Sequence, residues 1–149
     1  MPETETVERA REDAREGKSP STQAGEFIRE EIHHVREGKH GAASPQQAIA
    51  IGLSKARRAG VKLPSPSGSS VSSETKEKAE RDSRRGRSDS HHKVSTKRSR
   101  ATSQALKKKA HSATSKPALS KQARSAARKR GAAARHEAAV KAGRTRRAA

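Results

Sequence analysis

The chain has 149 residues and a formal net charge of +19, from 35 Lys and Arg against 16 Asp and Glu, with a pI of about 11.3. Only 28% of residues are apolar, Phe27 is the one aromatic residue, and Trp, Tyr and Cys are absent. This composition excludes disulfides, thiolate metal sites and a large buried core. Low hydrophobicity with high net charge is typical of disordered chains, and so basic a pI is typical of nucleic-acid-binding proteins.

The positive charge is concentrated towards the C-terminus. Residues 1–60 hold ten basic and ten acidic residues, whereas residues 90–149 hold eighteen basic residues and one acidic residue, Glu137. This asymmetry predicts a mixed-charge head joined to a polycationic tail. We divide the chain into a small helical head at 1–63, a Pro/Ser/Gly linker at 64–72, a charged helix at 73–86 and a Lys/Arg/Ala/Ser-rich tail at 87–149.

Three helices are predicted in the head. The first covers about residues 3–16 and the second about residues 22–37, with Ser21 or Thr22 as its N-cap. The third begins at Ser44, which is an N-cap candidate followed by Pro45 at the first helical position. The apolar residues that the second and third helices are expected to bury are Phe27, Ile28, Ile32, Val35, Ile49, Ile51 and Leu53.

The tail contains Ala- and Lys/Arg-rich segments at 97–109, 118–130 and 132–142. Isolated helices of about 12–15 residues are marginal in water, and like charges weaken them further. We therefore expect these segments to become helical only when phosphates neutralise their charge. The predicted fold class is mostly α, with a small two- to three-helix N-terminal head and a largely disordered or conditionally helical basic C-terminal tail.

Catalytic and metal-binding patterns are weak in this sequence. No phosphate-binding, dinucleotide-binding, zinc-protease or nucleophile-elbow motif occurs. His33 and His34, together with His40, suggest a metal site, but adjacent histidines point in different directions on a helix, so we interpret these histidines as solvated. We interpret Glu26 and Glu30 as paired with Arg29 and His34 on a solvated face. We predict no enzyme activity, no metal site and no cofactor.

The basic residues favour nucleic acid as the partner, and we expect DNA ahead of RNA as its identity. Each Lys or Arg that neutralises a phosphate releases counterions, a contribution to binding that needs no reading of bases. The tail has no aromatic residue to stack on bases, which favours backbone binding. The predicted contact residues are Lys55, Arg57, Arg58, Arg84, Arg85, Arg87, Lys97, Arg98, Arg100, Lys107, Lys108, Lys109, Lys121, Arg124, Arg128, Lys129, Arg130, Arg144, Arg146 and Arg147.

The N-terminal part also resembles a known group of sequences. The run ETVERAREDAREGKSPSTQAGEFIREEIHHVREGKHG followed by QQAIAIGLSKARRAG, between Glu3 and Pro64, is similar to a family of small basic bacterial proteins of unknown function, often labelled only "DNA-binding protein". The resemblance implies DNA association and carries over no mapped residues. The tail is similar in composition to linker-histone-like tails.

The predicted function is therefore non-enzymatic, largely sequence-independent DNA binding by a nucleoid-associated, histone-like protein in the bacterial cytoplasm. Two alternatives stay open, namely an RNA- or ribosome-associated basic protein and an adaptor whose head binds a protein partner. The head could also form a homo-oligomer. No apolar run reaches the roughly 18–20 residues of a membrane span, so no membrane partner is expected.

Overall fold

The computed structural model describes residues 2–68, 71–88 and 95–148. These residues form seven α-helices and one short 3-10 helix, Ser112–Thr114. The α-helices are α1 (Thr4–Arg15), α2 (Pro20–Arg36), α3 (Pro45–Arg58), α4 (Ser73–Arg87), α5 (Thr96–Lys107), α6 (Lys116–Lys129) and α7 (Gly131–Ala148). No helix in the described ranges has the length and apolar character needed to cross a membrane.

The predicted fold class is wrong: the described residues form α-helices along the whole chain, rather than a two- to three-helix head with a largely disordered or conditionally helical tail. Helices α5, α6 and α7 cover most of residues 96–148. Each like-charge pair one turn apart opposes a helix by only about 0.2–0.5 kcal/mol. A serine N-cap contributes about 1 kcal/mol, and Ala, Lys and Arg are good helix formers. Ser95 and Ser115 supply such caps, because each Oγ accepts the backbone N–H three residues later.

The chain divides into two compact units, Met1–Thr114 and Ser115–Ala149. In the first unit α2 packs against both α1 and α3, and α3 packs against α4. The residues buried where α1, α2 and α3 meet are Ala10, Ala24, Phe27 and Ala56. The second unit contains α6 and α7, which contact each other.

The core of the first unit is built from small side chains more than from the isoleucines expected there. Phe27 and Val35 are fully buried, as predicted. The predicted core isoleucines and Leu53 are only half-buried: Ile28, Ile32, Ile49, Ile51 and Leu53. The interior positions on α3 are instead taken by Ala48, Gly52 and Ala56. Small residues allow the backbones of α2 and α3 to approach closely, and the larger side chains lie at the edges of this contact, where they are only half-buried.

Gly52 marks that close approach. A Cβ atom at this position would lie 2.8 Å from Ile28 Cα and 3.0 Å from Ile28 N on α2. Gly86 has the same role where α4 meets the end of α3, since its Cβ would collide with the carbonyl oxygen of Arg57. The helix crossings are therefore set partly by the absence of a side chain.

The segment after α5 also belongs to the first unit. Gly41 N–H donates to Leu106 O at 3.0 Å, and Ala42 N–H donates to Ala110 O at 3.1 Å. Ala113 is buried in a second small cluster with Val35, Ala42 and Ala48. The unit thus includes residues that the charge pattern had assigned to the tail.

The N-caps of the head agree with the sequence in one case and differ in another. Ser44 caps α3 by accepting Gln47 N–H at 3.2 Å, with Pro45 at the first helical position, as predicted. Helix α2 begins earlier than expected, because Ser19 rather than Ser21 or Thr22 is its N-cap and Pro20 is its first residue.

Candidate nucleic-acid interface

The predicted contact residues on α4 lie at its C-terminal end. Arg84, Arg85 and Arg87 are exposed there, where cations also complement the helix dipole. The acidic residues of α4 lie further towards its N-terminus, and Glu74 pairs with Lys78 at 2.6 Å. This end of α4 therefore presents a cluster of like charge.

Helix α5 carries cations at both ends. Lys97, Arg98 and Arg100 are exposed in its first turns, and the run of residues 107–109 is exposed at its C-terminal end. Lys97, Arg100 and Lys108 fall on one face, since residues spaced by three to four positions share a face of an α-helix. The residues that follow α5 are held by backbone hydrogen bonds to Gly41 and Ala42, which fixes the attachment of this basic segment.

Helix α6 has the most regular arrangement of cations. Lys121, Arg124 and Arg128 are exposed and spaced i, i+3 and i+7, which places them on one face. Arg124 Nη2 donates to Ser120 Oγ at 2.9 Å on the same helix. Lys129 and Arg130 extend the exposed charge at the helix end. We call Lys121, Arg124 and Arg128 the α6 stripe.

Helix α7 adds exposed Arg144, Arg146 and Arg147 near its C-terminal end. Residues 115–149 as a whole hold eleven Lys and Arg and one acidic residue, Glu137. Three further exposed cations in this unit were absent from the predicted set, namely Lys116, Arg135 and Lys141. Counting charge along the sequence, without requiring clusters, would have found them.

Lys55 was also predicted to contact nucleic acid, but the structure places it inside the first unit. Its side chain is 11% exposed, and its Nζ lies 2.7 Å from Glu30 Oε1 and 2.8 Å from Glu31 Oε2. Burial alone would lower the pKa of Lys55, yet the two carboxylates outweigh it and raise the pKa above its usual value. Lys55 is therefore a structural ion and is not presented to a phosphate.

Of the next two basic residues on α3, Arg57 is buried and Arg58 is exposed. Arg57 is buried, and its Nη2 donates to Pro64 O at 3.2 Å. Burial lowers the pKa of Arg57, and the charge of Asp82 opposes this only in part. Arg58 is 46% exposed, with its Nε 3.8 Å from Asp82 Oδ1. Of the three basic residues predicted on α3, only Arg58 faces solvent.

The interpretation of Glu30 as part of a solvated face is wrong. Its side chain is 1% exposed. Burial opposes its ionisation, but hydrogen bonds from Lys55, the Glu3 backbone N–H and Thr6 outweigh burial and lower the pKa of Glu30. The Glu3 N–H lies 3.0 Å from Glu30 Oε2. Glu30 therefore joins the start of α1 to α2 and α3.

The three histidines of this region differ in their exposure to solvent. His33 is 67% exposed and its Nδ1 lies 2.9 Å from Glu37 Oε1, in agreement with a solvated position. The solvated interpretation is wrong for His34 and His40, which are only 13% and 17% exposed and meet beside buried Glu31. The sequence could have indicated that Glu31 and His34 are neighbours, because they lie one helical turn apart. The proximity of His40 could not be read in this way, because it depends on the path of the α2–α3 connection.

Comparison with known proteins bears on the region that contains this cluster. Residues 15–67 match DUF6496, a family of unknown function. The matched range includes α2, α3 and the connection between them, and it stops before α4. No curated protein and no solved structure matched the chain.

Proposed function

We propose that this protein binds double-stranded DNA through its phosphate backbone, largely without reading the base sequence, by means of the cations on α6, α7 and the ends of α4 and α5. The observation that carries the proposal is the α6 stripe, three exposed cations on one helical face within a unit that holds a single acidic residue. Few carboxylates within this unit compete with a phosphate for these cations.

The ion pairs support assigning DNA binding to the cation-rich residues 115–149 rather than to the mixed-charge helices. The mixed-charge helices of the first unit neutralise much of their charge internally, as in the pairs Arg9–Glu26 at 2.7 Å and Lys18–Asp13 at 2.8 Å. Residues 115–149 cannot do so, because eleven cations face one carboxylate in that stretch. Solvent-exposed Lys and Arg side chains are the groups that contact phosphates and release counterions.

The residue types favour backbone contact over base reading. The described basic helices carry no aromatic side chain, so base stacking has no platform there. Lys and Arg contribute to affinity through phosphates on any sequence, and this contribution weakens as salt rises. A bacterial nucleoid-associated role in the cytoplasm is part of the same proposal.

The test compares two full-length variants with the same net charge. The first replaces the α6 stripe with glutamine, K121Q/R124Q/R128Q. The matched control replaces three exposed arginines of the first unit, R11Q/R15Q/R81Q. Fluorescence anisotropy with two unrelated duplexes of equal length is measured across a salt series. The stripe variant should bind both duplexes more weakly, with a salt slope that is flatter by roughly 0.9 for each lost phosphate contact.

The control variant should keep the slope of the natural chain. Equal losses in the two variants would show that net charge alone attracts the protein and would contradict a role for the stripe. A loss confined to one duplex would contradict backbone binding. The same series with double-stranded and single-stranded RNA decides the alternative, since tighter binding to RNA would replace DNA as the proposed partner.

A further inference from the structure

A cluster unrelated to the DNA-binding proposal lies between α2 and the start of the α2–α3 connection. Glu31 and His34 come from α2, and His40 comes from the connection. Each offers one ligand atom, and these three atoms lie within 4.8 Å of one another. Two imidazole nitrogens and one carboxylate oxygen are a donor set that suits divalent transition metals, and Zn²⁺ is commonly held by such sets.

Glu31 is the unusual member of this cluster. Its residue surface is fully buried and its side chain is 1% exposed. Within the described residues, Oε1 of Glu31 has no hydrogen-bond partner. Its other oxygen, Oε2, pairs with the Lys55 ammonium at 2.8 Å. A buried carboxylate normally accepts hydrogen bonds or coordinates a cation, so Oε1 requires a further partner.

His40 approaches that oxygen with one ring nitrogen, and its other ring nitrogen lies near a backbone carbonyl. Its Nδ1 lies 3.1 Å from the carbonyl oxygen of Gly41, and a carbonyl can only accept, so Nδ1 carries the proton. Its Nε2 lies 3.2 Å from Glu31 Oε1. An imidazole nitrogen and a carboxylate oxygen at this separation can both ligate one metal ion. A backbone carbonyl on Nδ1 is also the usual way in which proteins orient a histidine ligand.

His34 completes the arrangement with carboxylates on both sides of its ring. Its Nε2 lies 2.9 Å from Glu3 Oε1, and its Nδ1 lies 4.0 Å from Glu30 Oε1. When one ring nitrogen ligates a metal, a carboxylate on the other nitrogen fixes the tautomer and raises the basicity of the ligand. Both histidines are partly exposed, so an ion can reach them from solvent.

We propose that Glu31, His34 and His40 form a binding site for one divalent transition-metal ion, with Zn²⁺ as the ion to test. The ion would lie between Glu31 Oε1 and the two imidazoles, leaving Oε2 to Lys55. It would tie His40 in the α2–α3 connection to the buried face of α2. This role is structural and is independent of the proposed DNA binding.

The experiment uses the untagged full-length chain after treatment with a chelator and dialysis. Zinc content is measured after equilibration with ZnCl₂, and Co²⁺ is used as a spectroscopic probe of the coordination. We expect one Zn²⁺ per chain, a higher Tm with Zn²⁺ than without, and Co²⁺ absorption bands of a four-coordinate site that Zn²⁺ abolishes. H40A should weaken binding by at least the roughly 10–100-fold found when an outer-shell partner is lost.

Two control variants remove histidines outside the cluster. H33A removes the exposed neighbour that pairs with Glu37, and H91A/H92A removes the other adjacent pair in the sequence. Both should bind Zn²⁺ as the natural chain does. Circular dichroism verifies folding, and H34Q replaces H40A as the deciding variant if H40A unfolds. The proposal is overturned if Zn²⁺ does not bind stoichiometrically, if binding survives both H40A and H34Q, or if H33A abolishes it equally.

Discussion

Lys55 Nζ lies 2.7 Å from Glu30 Oε1 in the interior of the first unit, where only 11% of the lysine side chain and 1% of the glutamate side chain are exposed. Glu31 Oε2 lies 2.8 Å from the same ammonium, so one cation serves two buried carboxylates. Through the Glu3 N–H on Glu30 and the position of Lys55 on α3, this cluster connects three helices. Glu30, which the sequence analysis interpreted as solvated, is therefore one of the residues that join these helices.

Removing the Lys55 ammonium should lower the free energy of unfolding by more than the removal of an exposed charge does. Lys55→Met leaves two buried carboxylates without their ammonium, and breaking a buried pair in this way destabilises a protein by about 3–5 kcal/mol. Urea denaturation of the full chain, followed by circular dichroism, measures the change in the free energy of unfolding.

The matched control for that variant is Lys62→Met, which removes the same charge from an exposed position and should change stability little. A triple variant, Glu30→Leu with Glu31→Leu and Lys55→Met, should recover much of the loss, because replacing a whole buried ion cluster by apolar side chains is often neutral. Similar stabilities of the Lys55→Met and Lys62→Met proteins would contradict a structural role for Lys55.

The close crossing of α2 and α3 makes opposite predictions for two helical glycines. At Gly52, Ala would improve helix propensity by about 1 kcal/mol, but its Cβ would collide with the α2 backbone. We expect a net destabilisation of about 1–2 kcal/mol, because overpacking of this kind outweighs the gain in propensity. At Gly25 on α2 an added Cβ meets nothing within 4 Å, so Ala should stabilise by up to about 1 kcal/mol.

Thermal and urea unfolding of Gly52→Ala and Gly25→Ala give the sign of each change directly. The contrast is informative because both substitutions add the same methyl group to the middle of a helix. If Gly52→Ala were as stabilising as Gly25→Ala, the α2–α3 crossing described above would be wrong.

The helicity of the basic tail can be tested at its caps. Ser115 Oγ accepts the N–H of Ala118 at the start of α6, and the loss of such a cap weakens a helix by about 1 kcal/mol. Ser115→Ala should therefore speed amide hydrogen exchange in the first turns of α6 about fivefold in the full chain without DNA, since a tenfold change corresponds to about 1.4 kcal/mol.

Ser125→Ala supplies the comparison within the same helix. Ser125 is exposed in the middle of α6, where Ala is the better helix former, so exchange should stay the same or slow slightly. Rapid and equal exchange in the natural chain and both variants would mean that α6 does not form in the absence of a ligand.

Local signals gave a good account of individual helices. Ser44 and Pro45 start α3 as their residue types indicate, and the charged helix predicted at 73–86 is observed as Ser73–Arg87. Such caps and propensities act within a few residues, so they can be recognised without knowledge of the fold. The tail was mispredicted because repulsion between its like charges was weighted above its caps and its alanine content.

Contacts between distant segments could not be obtained in this way. Lys55 follows the pattern of a helix-terminal cation, and only the packing of α3 on α2 reveals that Glu30 and Glu31 enclose it. His40 lies six residues beyond His34, and the turn of the α2–α3 connection brings it back to Glu31. A basic residue was accordingly predicted as a DNA contact although its charge is already neutralised inside the protein.

The sequence by itself determined the helical class, the starts of several helices and the strong excess of cations after residue 90, because these follow from local propensity and from counting charges. Only the tertiary structure decided which charges are buried and which face solvent. A charged side chain on a helix contacts solvent when it is exposed, but it must pair with an opposite charge when a neighbouring helix excludes water from it. That proximity is set by Gly52 and the alanines at the α2–α3 crossing, which bring distant carboxylates and Lys55 into one dry cluster.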